Sequence, residues 1–195
     1  MGKLVYLMGK SSSGKDTIYK ELLSDPSLKL KKVVLYTTRP IRANEEDGVQ
    51  YHFVDEEEFH RLFLDGKVIE NRAYNTYHGV WRYFTVDDGS IDLEHHDYLI
   101  IGTIESYVKS AEYFGRNNVL PIYLEVDDGI RLQRALNRET MQEIPKYEEM
   151  CRRFLADAED FSDDNLYKAG IRKRFNNENL QNCIKEINEF LEEYL

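Results

Sequence analysis

The sequence places its most specific chemical pattern in a loop near the N-terminus. Residues 9–15 are Gly-Lys-Ser-Ser-Ser-Gly-Lys, which fits the spacing G-x-x-x-x-G-K. Small residues at this spacing let backbone N–H groups converge on phosphate oxygens, and the final lysine reaches the outermost phosphates. An apolar run precedes the loop and a helical pattern follows it, as such a site requires. We therefore predict a nucleotide-phosphate site made of Gly9, Lys10, Ser11, Ser12, Ser13, Gly14, Lys15, Asp16 and Thr17.

Asp16 departs from the usual form of this loop, in which Ser or Thr gives its hydroxyl to Mg²⁺. A carboxylate is a good ligand for a hard cation, so Asp16 is a candidate Mg²⁺ ligand, either directly or through water. The alternative is that Asp16 only stabilises the first turn of the helix through the helix dipole. The sequence leaves both interpretations open.

Two arginines could form a second anion site. Arg39 and Arg42 follow directly after the β-rich run that ends in Thr37-Thr38. Arginines in such positions are more often surface residues that form ion pairs. A guanidinium fork also matches phosphate oxygens bidentately, so the pair is a candidate site for a second phosphorylated compound.

A third group of cations lies on helical segments later in the chain. Arg131, Arg134 and Arg138 recur at i, i+3 and i+7, which places them on one side of a helix, and Arg153 lies on the next helical segment. One interpretation is that Asp127 and Asp128 pair with Arg131 and that the other arginines are solvated. A second interpretation, in which Arg134, Arg138 and Arg153 face a phosphoryl group in transfer, follows only from the family resemblance described below; such a reaction depends mainly on positioning and cationic stabilisation.

Composition and charge limit the other possibilities. The 195 residues are 42% hydrophobic, enough for one compact core, and 26 basic against 36 acidic residues give a net charge of −10. This acidic balance disfavours a broad nucleic-acid surface. No apolar run approaches the roughly 20 residues of a membrane span, and the N-terminus lacks a signal-peptide pattern. We therefore expect a cytoplasmic protein that binds neither nucleic acid nor membrane.

Short apolar runs alternate with helical patterns along most of the chain. This alternation predicts a parallel sheet that is covered by helices on both sides. The predicted strands cover residues 4–8, 32–38, 48–54, 98–101 and 119–126, and the predicted helices cover residues 17–23, 55–64, 104–114, 129–138, 146–160 and 178–195. The Tyr- and Asn-rich stretch at 39–83 interrupts the alternation, which indicates a small lobe inserted after the second strand.

The pattern around Arg39 extends further and resembles a known family. Residues 37–54 fit T-T-R-x-x-R-x-x-E-x-x-G-x-x-Y-x-F-V, at the expected distance after the phosphate loop. This combination resembles the guanylate kinase family over most of the chain, most clearly at 4–80 and more weakly after 120. The resemblance implies an α/β fold: a P-loop NTPase-type parallel sheet flanked by helices, with an inserted small mixed α/β lobe that binds a nucleoside monophosphate and a helical lid. The core would comprise residues 1–38, 84–130 and 161–195, the lobe 39–83 and the lid about 131–160.

The resemblance also implies a function and roles for individual residues. It implies Mg²⁺-dependent transfer of a phosphoryl group from ATP to a nucleoside monophosphate, with GMP expected, by a monomer or homodimer. Lys15, Arg134, Arg138 and Arg153 would act on the transferring group, and the metal would be held near Asp16, whose candidacy comes from its carboxylate and not from the family pattern. The acceptor side would be formed by Arg39, Arg42 and Tyr51 at the phosphate, Glu70 at the base, and Tyr77 and His78.

Three departures from the family pattern keep other functions open. Leu35 replaces a hydroxyl residue, Val80 follows His78-Gly79 where the family has Ser or Thr, and Gly102-Thr103 replaces an Asp-x-Asp at a strand end. We hypothesise that the missing strand-end acid has been replaced by Asp16. One alternative is a kinase of another phosphorylated metabolite, such as a ribose bisphosphate. A second is a non-catalytic binding module.

Overall fold

The computed structural model describes residues 1–76 and 79–195, which form two sheets and the helices around them. The strands are β1 (Leu4–Gly9), β2 (Lys31–Lys32), β3 (Leu35–Thr37), β4 (Tyr51–Phe53), β5 (Val68–Thr76), β6 (Gly79–Val86), β7 (Tyr98–Ile101), β8 (Val119–Glu125) and β9 (Phe175–Asn176). The helices are α1 (Lys15–Ser24), α2 (Glu56–Leu64), α3 (Ile104–Phe114), α4 (Asp128–Thr140), α5 (Tyr147–Asp160), α6 (Asp163–Lys168) and α7 (Leu180–Glu192). Of these helices, none combines the length and the apolar character needed to cross a lipid bilayer.

The first sheet is parallel and has the strand order β2-β7-β1-β8-β9. Its central strand β1 is buried along its whole length, because helices cover both faces. The side chains of α1 and α7 pack on one face, and those of α3 and α6 pack on the other. The predicted parallel sheet with helices on both sides is confirmed.

Parallel pairing brings the carboxyl ends of the strands to one edge. Leu4 and Leu7 of β1 pair with Tyr98 and Ile101 of β7, so the loop after Gly9 and the segment Gly102-Thr103 leave the sheet at the same edge. Ligands of open α/β sheets bind outside this edge. The Thr103 side chain and Ser106 form a capping box that begins α3 at this edge.

The second sheet is mixed and has the strand order β4-β3-β6-β5. Its strands β3 and β4 are parallel, whereas β6 is antiparallel to both β3 and β5. Its core is formed by Phe59 and Leu62 of α2 against Phe84 and Val86 of β6. This sheet and helix α2 form the mixed lobe that the sequence predicts.

The single strand predicted at residues 32–38 is wrong. Lys31–Lys32 pairs with β7 in the first sheet, whereas Leu35–Thr37 pairs with β4 and β6 in the second. The last hydrogen bond to the first sheet is donated by the Val33 amide to Leu99, and the Thr37 hydroxyl then anchors the chain to the Arg82 carbonyl. A continuous run of β-forming residues does not show that its two halves pair with different strands.

Candidate active site

The loop between β1 and α1 has a backbone that only small residues permit at key points. Gly14 adopts φ of 89°, in the left-handed region, and precedes the first turn of α1. A Cβ at this position would lie 2.5 Å from the side-chain nitrogen of Asn177. That amide donates a hydrogen bond to the Ser13 carbonyl at 2.8 Å. The loop is therefore held in one shape by a residue that directly follows β9.

Lys15 folds back over this loop. Its Nζ donates to the carbonyl oxygens of Gly9 at 2.6 Å and Lys10 at 3.0 Å. Burial lowers the pKa of Lys15, while the negative charges of Asp157 and Asp16 act in the opposite direction. The ammonium group is thus enclosed in the loop, where a phosphate oxygen can replace a backbone carbonyl as its partner.

A carboxylate from α5 already contacts the anion-binding face of the loop. The Ser11 amide donates to Oδ2 of Asp157 at 2.5 Å. The guanidinium of Arg131 lies close by: it donates to the Ser11 carbonyl at 3.0 Å and lies 3.9 Å from Asp157 Oδ2. The loop therefore binds an anionic group of the protein itself.

Sequence reasoning gave neither Asp157 nor Arg131 a place in the site. Arg131 forms the ion pair with Asp128 that was one interpretation of the sequence, at 2.7 Å, but its side chain is only 1% exposed and it also contacts the loop. The signal for Arg131 was its i, i+3 spacing from Asp128. Asp157 lies in an acidic stretch with no distinguishing pattern, and its contact with Ser11 spans 146 residues.

A cavity of about 640 Å³ lies between the two sheets. The loop side of its wall includes Gly9, Ser11, Lys15, Asp16 and Asp157. The lobe side includes Leu35, Tyr51, Arg72 and Tyr83, and the strand-end side includes Gly102 and Thr103. Its volume is in the range of small-molecule sites.

Of the three residues predicted to hold the acceptor phosphate, Tyr51 lines this cavity. Arg39 lies behind it, with its guanidinium carbon 5.6 Å from the centre of the Tyr51 ring, and lines a separate surface pocket. Glu45 holds Arg39 bidentately at 2.7 and 2.9 Å, and hydrogen bonding to Arg39 lowers the pKa of Glu45. Arg42 is exposed at the surface. The structure therefore places Arg39 in an ion pair and Tyr51 on the cavity wall.

Glu70, predicted to contact the acceptor base, is not part of the cavity wall. Its side chain is 0% exposed, and its carboxylate accepts hydrogen bonds from the Thr85 hydroxyl and from Arg72. Arg72 lines the cavity instead. Residues 70 and 72 lie two apart on β5, so they share a face of the strand, which is the signal that could have predicted their pairing.

The three arginines predicted to act on the transferring group differ in their surroundings. Arg134 donates to the Asn177 carbonyl at 3.2 Å. Arg138 lies near enough for its charge to contribute to the lowered pKa of Lys15. Arg153 is 61% exposed and pairs with Glu149 on its own helix at 2.7 Å. In this conformation Arg138 is electrostatically coupled to the loop lysine, and Arg153 is directed to solvent.

The remaining predicted residues complete the description. Lys10 pairs with Asp128 at 3.5 Å, Ser13 is buried, and Ser12 adopts a left-handed φ of 63°. Asp16 and Thr17 are exposed on the first turn of α1. Tyr77 and His78 lie outside the described residues.

A solved structure has the same architecture as this chain. A crystal structure of guanylate kinase from Anaplasma phagocytophilum superposes on the chain with a TM-score of 0.66, covering 100% of this chain and 87% of that one at 24% identity. The chain has the guanylate kinase fold. Residues 1–82 also match the family model described as guanylate kinase.

Curated guanylate kinases match part of the sequence. The guanylate kinase of Schizosaccharomyces pombe is 47% identical over 68 residues, and that of Mycoplasma mobile is 46% identical over 79 residues. These segments cover 35% and 40% of this chain, and 34% and 39% of the two relatives. The family-model match at residues 1–82 covers the phosphate loop and most of the mixed lobe, whereas the likeness in fold extends over the whole chain.

The guanylate kinase resemblance implies Mg²⁺, and the cavity contains suitable donors. Asp16 and Asp157 both line the cavity beside Lys15. Mg²⁺ is commonly bound by one or two carboxylates together with phosphates of the substrate. No group of three or more His, Cys, Asp or Glu residues in the described ranges 1–76 and 79–195 is arranged to hold a metal without such a substrate. The donor set fits a cation that arrives with a nucleotide.

Proposed function

We propose that the protein transfers the γ-phosphoryl group of ATP to a nucleoside monophosphate, with GMP as the expected acceptor, giving ADP and a nucleoside diphosphate. The observation that carries this proposal is the cavity between the two sheets. Its wall includes Lys15 of the phosphate loop on one side and Tyr51 of the mixed lobe on the other. A phosphate donor and a phosphorylated acceptor bound at these two sides would meet inside one cavity.

The residues of the loop would bind the donor. The backbone N–H groups of residues 11–15 and the positive end of the α1 dipole favour phosphate oxygens at this site. Lys15 would exchange the carbonyls of Gly9 and Lys10 for an outer phosphate, and Asp157 would leave the Ser11 amide. Mg²⁺ held between Asp16 and the ATP phosphates would neutralise part of the negative charge.

The chemical step needs no protein base. The acceptor phosphate is an anionic nucleophile, so one of its oxygens forms a bond to the γ-phosphorus while the bond to the bridging oxygen of ADP breaks. Cations close to the transferred group stabilise the charge that spreads over it. We assign this role to Lys15 and Arg138, with Arg134 and Arg153 joining them when α4 and α5, which form most of the proposed lid at about 131–160, close over the nucleotide. Exclusion of water would limit ATP hydrolysis.

The test is a coupled ADP-release assay with ATP, Mg²⁺ and, separately, GMP, dGMP, AMP, CMP and UMP. We expect ADP release that depends on one of these acceptors, with GMP expected to be the best of the five. Lys15→Ala should lower the rate by at least ~100-fold, as loss of a group that stabilises transition-state charge does. ADP release that is absent with every acceptor, or equal with and without one, would contradict the proposed function.

A second candidate is a kinase of another phosphorylated metabolite on the same framework. It is favoured by the lobe side of the cavity, where Leu35 and Arg72 stand instead of a hydroxyl and a free carboxylate. Adding ribose 5-phosphate and ribose 1,5-bisphosphate to the acceptor panel separates the two candidates.

A further inference from the structure

The lobe side of the cavity presents a cation where the family resemblance places an anion. Arg72 of β5 lines the cavity, and Glu70 does not. The same wall also includes Leu35, Tyr51 and Tyr83, which offer apolar and aromatic surface and two phenol groups, and the Gln50 amide. Lys32 of β2 also lines the cavity, but its ammonium group donates to the Val49 carbonyl. Arg72 is therefore the charged residue that the mixed sheet itself contributes to this wall within the described residues.

Glu70 is fully engaged by its neighbours. Its Oε1 accepts from the Thr85 hydroxyl at 2.8 Å and from Nη2 of Arg72 at 3.4 Å, and its Oε2 accepts from Nε of Arg72 at 3.2 Å. The Glu70 side chain is 0% exposed and that of Arg72 is 12% exposed. Exposing Glu70 to a ligand would require breaking an ion pair and a hydrogen bond in a buried setting, which is costly.

The pair also fixes the charge of Arg72. Burial lowers the pKa of Arg72, but the charge and hydrogen bonding of Glu70, together with smaller contributions from Tyr6 and Tyr74, outweigh burial, and the pKa lies above its ordinary value. A guanidinium group donates hydrogen bonds and accepts none. Two of its nitrogens are directed to Glu70, and the third, Nη1, has no hydrogen-bond partner among the residues that the structure describes. The Arg72 guanidinium is thus a fixed, planar cation that presents hydrogen-bond donors to a ligand in the cavity.

Such a wall discriminates between acceptors by the part of the molecule opposite the phosphate, here called the far end. What matters is whether that far end presents hydrogen-bond donors or hydrogen-bond acceptors to Arg72. The N–H edge of guanine would bring donors towards a group that can only donate. A carbonyl oxygen or an anionic group at the same place would accept from Arg72, as carboxylates and phosphates do in their bidentate contacts with arginine.

We propose that Arg72 determines the acceptor specificity of this site, and that it selects a phosphorylated acceptor whose far end presents oxygen acceptors or negative charge. This inference rests on the proposed function for the identity of the cavity as the acceptor site. Arg72 acts in two ways: it withholds Glu70 from the ligand, and it supplies the donors that the ligand must match.

The sharpest test compares GMP with XMP. The two differ at C2 of the base, where GMP has an amino donor and XMP has a carbonyl acceptor. Binding of each is measured by isothermal titration to the full-length protein, and kcat/KM is measured with ATP and Mg²⁺. We expect the wild type to prefer XMP by at least about tenfold, the lower range for one good bidentate contact.

Variants assign that preference to Arg72. Arg72→Ala should reduce the XMP preference to about unity or reverse it towards GMP, because it removes the donors and uncovers the Glu70 carboxylate. Arg82→Ala is the matched control: Arg82 is also a lobe arginine paired with a glutamate, Glu56 at 2.9 Å, but it is not part of the cavity wall, so the preference should be unchanged. Arg72→Lys, which keeps the charge and loses the fork, should give an intermediate preference.

The outcomes separate this inference from the proposed function. A wild type that binds GMP as well as or better than XMP, or that binds neither, would overturn the role of Arg72. An XMP preference that persists in Arg72→Ala would overturn it as well. XMP binding without any ADP release would leave the specificity inference supported and the proposed kinase activity contradicted.

Discussion

At the scale of single residues, Asp157 places a negative charge on the loop that is expected to bind nucleotide phosphate. Its carboxylate accepts from the Ser11 amide at 2.5 Å, so a bound phosphate must displace it. We predict that Asp157→Ala tightens ATP binding in the absence of Mg²⁺ by about tenfold, close to the worth of one charge-assisted hydrogen bond. Isothermal titration with ATP measures this effect.

Asp160→Asn is the control for that prediction. Asp160 is an exposed acid at the end of the same helix, and the described residues show no contact between it and the phosphate loop. Its replacement should leave ATP affinity within about twofold of the wild type, since surface substitutions away from a site have small effects. Unchanged or weaker ATP binding by Asp157→Ala would contradict displacement of this carboxylate by phosphate.

Lys15 gives a prediction about pH. Its pKa in the folded protein lies below the ordinary value of 10.5 because the ammonium group is buried. The unfolded chain therefore holds this proton more tightly, so the Lys15 contribution to stability rises with pH between the folded and unfolded pKa values. Urea unfolding from about pH 7 to about pH 10 should show wild type gaining stability relative to Lys15→Met. A difference in unfolding free energy that stays flat or falls would contradict the burial of this charge.

At the scale of elements, the buried arginine of α4 ties the proposed lid to the phosphate loop. Arg131 contacts the Ser11 carbonyl and Asp128, and its guanidinium carbon lies 4.7 Å from the centre of the Phe154 ring of α5. We predict that Arg131→Ala lowers the free energy of unfolding by about 1–3 kcal/mol and speeds amide exchange in α5 and in the loop.

Arg152→Ala is the comparison for this effect. Arg152 also pairs with an acid on its own helix, Glu149 at 2.7 Å, but its side chain is 65% exposed. Its loss should cost less than about 0.5 kcal/mol, since exposed ion pairs contribute little. Equal losses in chemical denaturation for the two variants would contradict a special role for Arg131 in joining the lid to the loop.

The elements also show what the sequence could predict. The parallel sheet, its helices and the phosphate loop could be predicted from local patterns. A buried strand and the apolar face of a helix each show in the hydrophobic periodicity of a short stretch of sequence. The division of residues 31–37 between two sheets, and the contact of Asp157 with Ser11, depend on partners distant in the chain. The burial of Glu70 depends on Arg72 and on Thr85 from the neighbouring strand. Local patterns thus predicted the framework, and cross-strand partners decide which polar groups face the cavity.

At the scale of the whole molecule, a parallel sheet and a mixed sheet both line one cavity. The carboxyl edge of the parallel sheet supplies the phosphate loop, and the mixed sheet supplies Tyr51 and Arg72. Neither sheet forms this cavity alone. We propose that the phosphoryl group is transferred across this cavity.

The most direct test follows the phosphorus atom itself. The full-length protein is incubated with Mg²⁺, ATP and an acceptor, either GMP or XMP, and the products are identified by ³¹P NMR, with Lys15→Ala as the control. We predict that the γ-phosphorus of ATP appears in the β-position of the acceptor diphosphate, in step with ADP, and that Lys15→Ala forms this product at least ~100-fold more slowly. Release of that phosphorus only as inorganic phosphate, or no consumption of ATP with either acceptor, would contradict it.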